Sequence, residues 1–252
     1  MTLTAVWGSS GSGKSAVALA LGVALARRKE DVMIISTDGC TPALPVYLPR
    51  NNGLTASNSI GGLLELQNLT EGSLKGRIHR HPKSDHLFFM GHVSREIAAI
   101  TYRPPERAAI VSLIHILQGT PFRHVILDCA SNPVYDSLTL FALEAADTVL
   151  RVVTPDVKGC EFQKAQLAWL CNSDAFHTER HVKLCNLAFP FSPVAEAAAL
   201  CGGFDFSLPY ARQVAEKMAA GELLAGFNEL SAIQFEDSIR TLAGRVREQL
   251  GK

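Results

Sequence analysis

No two of the six cysteines, Cys40, Cys129, Cys160, Cys171, Cys185 and Cys201, are spaced as a C-x-x-C pair. That absence removes the paired-cysteine motif, and leaves reduced thiols in a cytoplasm as the simplest expectation. An excess of one charge is also missing. Lys and Arg together number 24 and Asp and Glu 24, so no whole-molecule field draws the chain onto nucleic acid or an anionic membrane. No apolar run is long enough to cross a bilayer, and the opening "MTLTAVWG" has neither the basic segment nor the apolar core of a signal peptide. A cytoplasmic protein, neither exported nor embedded in a membrane, is the expectation.

What is present is a generous core: 47% apolar and 19% charged residues over 252 positions suit one sizeable globular domain. Short apolar runs alternate with longer helical ones, which argues an α/β fold with a doubly wound, mostly parallel sheet and helices on both faces. Leu3 to Trp7, "DVMIIST", "HLFFMG", "HVILD", "TVLRVVT", "VKLCNLAF" and "FDFSLP" read as strands. Between them "SAVALALGVALARR", "RPPERAAIVSLIHILQGT", "SLTLFALEAA", "VKGCEFQKAQLAWL" and "YARQVAEKMAAG" read as helices, and a last amphipathic helix spans about residues 234–250. The stretch from Gly39 to about Leu54, with Pro42, Pro45 and Pro49, reads as a loop, while "SIGGLLELQN" and "TEGSLKGRI" read as short helices. Nothing marks a second domain.

Residues 7 to 15 read "WGSSGSGKS". Gly8, Gly13, Lys14 and Ser15 satisfy G-x-x-x-x-G-K-[ST], the phosphate loop of P-loop NTPases, with Ser9, Ser10, Gly11 and Ser12 between and Ala16 following. Glycines let backbone N–H groups turn inward around phosphate oxygens, and the helix that follows directs its positive end at the same anion. Lys14 is placed to bridge the β and γ phosphates of ATP, and the Ser15 hydroxyl to ligate Mg²⁺. The motif sits between a strand and a helix, as the chemistry demands; the plain alternative is a glycine-serine turn with an incidental lysine. Asp128 ends the buried run "HVILD" and is expected to hold Mg²⁺ through water rather than to serve as a turn residue. Asp38 ends the strand after the P-loop helix, on the edge that faces the ligand crevice. Two roles stand open for it: orienting an attacking water, or closing an Asx-turn with Gly39.

With these landmarks the chain resembles the ParA/MinD family of P-loop ATPases. The likeness runs through "GSSGSGKS", "VMIISTDGCTPALP", "HVILDCASNP", "AADTVLRVVTPDVKG", "VKLCNLAF" and "FDFSLPYARQVAEKMAAGE", in the family's order and over most of the chain. It implies that Asp38 assists hydrolysis, that Asp128 assists Mg²⁺, that Asn186 reads the adenine edge and that the peptide at Pro209 lines the base pocket. It further implies an ATP-driven homodimer and a protein partner in a spatially localised machine; among subgroups the chain looks most like the short CpaE/TadZ-type placement factors of pilus assembly. Two positions depart from the family pattern. Its second lysine, which reaches the partner's phosphates across an ATP-sandwiched dimer, is here Ser9, followed by Ser10, and a serine supplies no charge for a transition state. In "STD" only one of the family's frequent pair of aspartates is kept. A non-hydrolysing nucleotide-binding scaffold and a small-molecule kinase or ATP-dependent ligase are the alternatives.

Other features read as ordinary surface. His79, His81, His86 and His92 fit no familiar zinc spacing and read as a solvated loop, and Arg77, Arg80 and Lys83 there do not indicate nucleic acid. In the last helix Phe235, Ile239, Leu242, Val246 and Leu250 share a face, but Glu236, Asp237 and Glu248 dilute Arg240, Arg245, Arg247 and Lys252. Packing on the core, not membrane docking, is expected. Asn172, Ser173 and Asp174 spell "NSD" rather than the guanine-selecting N-K-x-D, which favours ATP over GTP.

Overall fold

The structure is a computed structural model that describes residues 1–48 and 53–248. Its strands are β1 (Thr2–Gly8), β2 (Val32–Ser36), β3 (His79–Arg80), β4 (Leu87–Met90), β5 (His124–Asp128), β6 (Thr148–Val153), β7 (His181–Ala188) and β8 (Phe206–Pro209). They form one eight-stranded sheet in the order β3-β4-β2-β5-β1-β6-β7-β8. Every pairing is parallel except β3 with β4. The helices are α1 (Lys14–Ala26), α2 (Leu44–Tyr47), α3 (Ile60–Leu64), α4 (Ala98–Thr101), α5 (Arg107–Gln118), α6 (Ser137–Ala145), α7 (Val157–Leu170), α8 (Val194–Cys201), α9 (Arg212–Ala219) and α10 (Leu230–Glu248).

Alternation along the strands divides the core into two layers. Val6, Ile34, Ile126, Leu150 and Val152 face the layer made with α1 and α10, while Leu3, Trp7, Met33, Leu127 and Val149 face α5, α6 and α7. Burying both faces is why these strands read as continuous apolar runs. The parallel strands end together on one edge, where the P-loop and the segments after β2, β4, β5, β6 and β7 gather.

Three expectations need correction, and some elements were not anticipated. The Gly39 to Leu54 stretch is not all loop, because Pro45 opens the short α2 and burial of Leu44 and Tyr47 holds it; positions 49–52 lie outside the described residues. The histidine segment is not simply solvated: His79 and Arg80 pair with β4 as an antiparallel edge strand, and His81 and His92 are buried. Among the described residues no metal-binding group forms there, and Arg80 is paired with Asp85. Two helices lie outside the expected elements: α8, whose alanine-rich "VAEAAALC" with few apolar anchors carries little periodicity, and the single-turn α4. Finally, α10 starts at Leu230, a turn before the expected residue 234, and Leu250 and Lys252 lie outside the described residues. Its face does pack on the core: Phe235, Ile239, Leu242 and Val246 are buried against α1 and β8.

A polar clasp fixes the end of α10. Glu30, 8% exposed, accepts hydrogen bonds from Arg247 Nε at 3.0 and 3.1 Å and lies 3.4 Å from Arg123 Nε. It also faces His124 Nε2 at 3.1 Å, while His124 Nδ1 meets the Thr2 hydroxyl at 2.7 Å. Since a carboxylate only accepts, Nε2 carries the proton and Nδ1 accepts from Thr2.

The half-buried His181 makes the fold acid-sensitive. Burial, with Arg151 nearby, holds His181 down to about 4, and both its ring nitrogens are enclosed without a hydrogen-bond partner. In the unfolded chain the group titrates near its usual 6.5, so as pH falls the unfolded state takes up the proton first. This contribution to stability is complete above the unfolded value and shrinks from there down to about 4. Unfolding free energy is expected to be lower at pH 5 than at pH 7 by about 2 kcal/mol from this residue. Urea titrations of wild type and His181→Phe test it, the variant showing a correspondingly smaller drop.

Candidate nucleotide site

The P-loop is shaped by positions that exclude a side chain. β1 ends at Gly8, where a Cβ would meet Val152 O at 2.3 Å. Gly13, at the N-cap of α1, has φ of 79° and would bring a Cβ within 2.4 Å of Asn186 Nδ2. Between them Ser12 N–H donates to Ser9 O at 3.2 Å, and Gly11 also takes positive φ, 78°. Asn186, 2% exposed, donates from Nδ2 to Ser12 O at 2.7 Å. The β7–β8 register shifts between Cys185 and Ala188, and Leu187 takes a φ of 57° that a leucine rarely adopts. This strained irregularity within β7 lies beside Asn186, whose amide braces the P-loop backbone. Asn186→Ala is expected to cost about 1 kcal/mol of stability by removing this brace, read by urea denaturation.

Asp128 stands at the centre. Strand register sets it opposite Val6 of β1 and Ser36 of β2, and it is 3% exposed. Its Oδ2 accepts from the Tyr47 hydroxyl at 2.6 Å, whereas Oδ1 is buried with no partner. Burial pushes its carboxyl up from the usual range; the Tyr47 donor, the Lys14 charge and the Ser15 hydroxyl act against that rise, and Asp38 adds to it. Burial pushes Tyr47 up as well, reinforced by the Asp128 charge. An orphan carboxylate oxygen beside a serine hydroxyl is a hard-oxygen donor set, and these residues fit Mg²⁺. Among the described residues no cluster of three or more His, Cys, Asp or Glu forms.

Lys14 Nζ donates to Ser131 Oγ at 3.0 Å, and the Ser131 carbonyl accepts from Trp7 Nε1 at 3.1 Å. Asp38 is half-buried, with Oδ1 accepting from the N–H groups of Cys40 at 2.9 Å and Thr41 at 3.0 Å. It therefore does form the Asx-turn, on the same edge as the P-loop. Beside it Thr37 Oγ1 meets Thr139 Oγ1 at 2.6 Å, and both accept from Ala130 N–H at 2.9 Å, tying the segment after β2 to the one after β5.

A cleft of about 360 Å³ opens on the other wall of the loop. Gly11, Gly13, Lys14, Ser15, Ala16 and Asn186 form its polar side, and Pro209, Ala211, Val214, Met218 and Phe235 its apolar side. Tyr210, also lining it, stacks on Phe189 at 4.3 Å and 19°. The structure thus brings Asn186 and Pro209 to one cleft with the P-loop, whereas Asp38 and Asp128 do not line it. Sequence reading missed Tyr47 and Ser131. Tyr47 had a faint signal, an aromatic among Leu44, Val46 and Leu48 after a helix-opening proline; Ser131 had none.

No family model matches the sequence, and a search of curated proteins returns no match. Solved structures do match. A ParA family ATPase from Chlorobium tepidum TLS superposes with a TM-score of 0.76 at 17% identity, over 96% of this chain and 99% of that one. The septum site-determining protein MinD from Pyrococcus horikoshii OT3, complexed with Mg-ADP, gives 0.72 at 17% identity over 100% and 98%. A plasmid partition protein from Borrelia burgdorferi B31 bound to AMPPNP gives 0.73 at 14% over 99% and 98%. At such identities the likeness is one of fold: the chain folds as the ParA/MinD P-loop ATPases do.

Proposed function

We propose that this chain, folded as those ATPases are, is a single-domain cytoplasmic switch that binds Mg-ATP, associates with itself in the ATP state and is reset by hydrolysis. The observation that carries the proposal is the convergence of the P-loop, Lys14 and the orphan Asp128 oxygen beside a cleft with an apolar wall. Backbone amides of Gly11 to Ser15 would hold phosphate, with Gly8, Ser9, Ser10 and Ser12 shaping the loop and Ala16 leading into α1. Lys14 would exchange its bond to Ser131 for one to phosphate. Ser15 and Asp128 would hold Mg²⁺, which neutralises phosphate charge when bound. Asp38 would orient the attacking water with the carboxylate oxygen not used in its turn. Asn186 and Pro209 would border the base.

Self-association as a homodimer draws support from the rim. Ile97, Ile100, Val134, Tyr135, Val157 and Phe191 are exposed apolar residues on the segments that follow β4, β5, β6 and β7, the edge that also carries the P-loop. Covering such residues favours association. The role would be placement of a cellular assembly through a protein partner, with pilus machinery the first candidate from the sequence likeness. Among the described residues no helix is long and apolar enough to cross a membrane.

One observation favours a second reading: Ser9, where a lysine would act across a dimer, is 8% exposed and uncharged. A scaffold that binds ATP without hydrolysing it would look the same. Sedimentation with and without ATP, alongside phosphate release by wild type and Asp38→Ala, separates the two. The switch predicts ATP-induced dimers and turnover lost in Asp38→Ala; the scaffold predicts dimers regardless of ATP and no turnover.

A further inference from the structure

Tyr47 belongs to no motif, yet it touches the carboxylate that the proposed function gives to the metal. Its ring is 3% exposed and stacks on Phe89 at 5.0 Å and 21°, and its hydroxyl donates to Asp128 Oδ2 at 2.6 Å. As packing, a phenylalanine would serve the same stack without a polar group to bury, since a buried hydroxyl is costly unless bonded. The hydroxyl therefore needs an explanation of its own. Asp128 is held at the end of a central strand, paired on both sides by β1 and β2, so its remaining freedom lies in the side-chain torsions. A donor fixed on one oxygen sets the plane of the carboxylate and decides where the other points. With Oδ2 taken by Tyr47, Oδ1 is the buried oxygen left without a partner.

We infer that Tyr47 is a positioning residue: through its hydroxyl it turns Asp128 so that Oδ1 serves the Mg²⁺ that accompanies ATP. The inference rests on the nucleotide reading above and adds to it a coupling. Tyr47 sits on α2, in the segment that begins with the Asx-turn of Asp38. One short stretch of chain thus carries both the water-orienting acid and the clamp on the metal's carboxylate, and metal binding and the placement of Asp38 become linked.

The test is equilibrium binding of a fluorescent ATP analogue to wild type, Tyr47→Phe, Asp128→Asn and the double variant, in excess EDTA and in excess Mg²⁺, with thermal melts of each nucleotide-free chain. Wild type is expected to bind more tightly with Mg²⁺. Tyr47→Phe should match wild type in EDTA and lose about tenfold of the Mg²⁺-dependent gain, and adding it to Asp128→Asn should change nothing further. A Tyr47→Phe variant that keeps the full gain overturns the inference. So does one that weakens equally in EDTA and Mg²⁺, as a packing defect would. If wild type binds no analogue under either condition, the proposed function itself falls, and the inference with it.

Discussion

Lys14→Ala is expected to lower ATP turnover by at least about 100-fold, the scale on which a group that stabilises developing charge in a low-dielectric site contributes to rate. The ammonium stands at the first residue of α1, and its partner is the Ser131 hydroxyl, with no carboxylate bound to it among the described residues. A neutral hydroxyl is a weak competitor for a lysine, so exchange for a phosphate oxygen costs little and gains a charge-assisted bond. Alanine removes the charge without disturbing the helix, because it is a good helix former and the glycines of the loop keep their conformation. Thermal stability should therefore stay close to wild type while phosphate release is lost. A variant that turns over ATP as wild type does would show that the P-loop is not the catalytic centre.

Glu30→Ala is expected to cost about 3 kcal/mol of folding free energy, away from the P-loop, through loss of the clasp on α10. Glu30 is a nearly buried anion with cationic partners from two separate elements: Arg247 at the end of α10, and Arg123 just before β5. It also accepts from buried His124. Removing the anion leaves Arg123 and Arg247 facing each other and His124 without its acceptor. Arg247 is 35% exposed and can turn partly to water, which places the cost at the low end of the range for breaking a buried pair. Burial raises the Glu30 carboxyl, but the hydrogen bonds of Arg247 and His124 outweigh it and the net shift is downward. This contribution is present above the ordinary carboxylate value and lost as pH falls through the lowered one. Urea denaturation at neutral pH measures the loss, and a change within a few tenths of a kcal/mol would mean that α10 is held by its apolar face alone.

What the sequence made legible was local. The phosphate loop is one contiguous motif, and its glycines are dictated by contacts that leave no room for a Cβ at Gly8 or Gly13. The parallel strands declare themselves by unbroken apolar runs because both faces of the sheet are covered. What stayed hidden depends on distance along the chain. The bond from Tyr47 to Asp128 joins residues 81 positions apart, and that from Asn186 to the P-loop spans 174. No spacing rule reaches so far. Similarly, α2 lies in a proline-bearing stretch whose local preference is a turn, and only the burial of Leu44 and Tyr47 selects a helix there. His81 and His92 read as solvated because polar side chains usually are; both are buried, His81 beside Phe89 of β4 and His92 beside Tyr102. For Asn186 the family likeness suggested a role toward adenine, and the geometry adds an intramolecular one, the brace on Ser12.

The most direct measurement of the central claim is a calorimetric titration of the wild-type chain with ATP in the presence of Mg²⁺, with GTP run beside it. Saturable binding of one ATP per chain, stronger than that of GTP, is the predicted result; absence of saturable ATP binding would contradict the account.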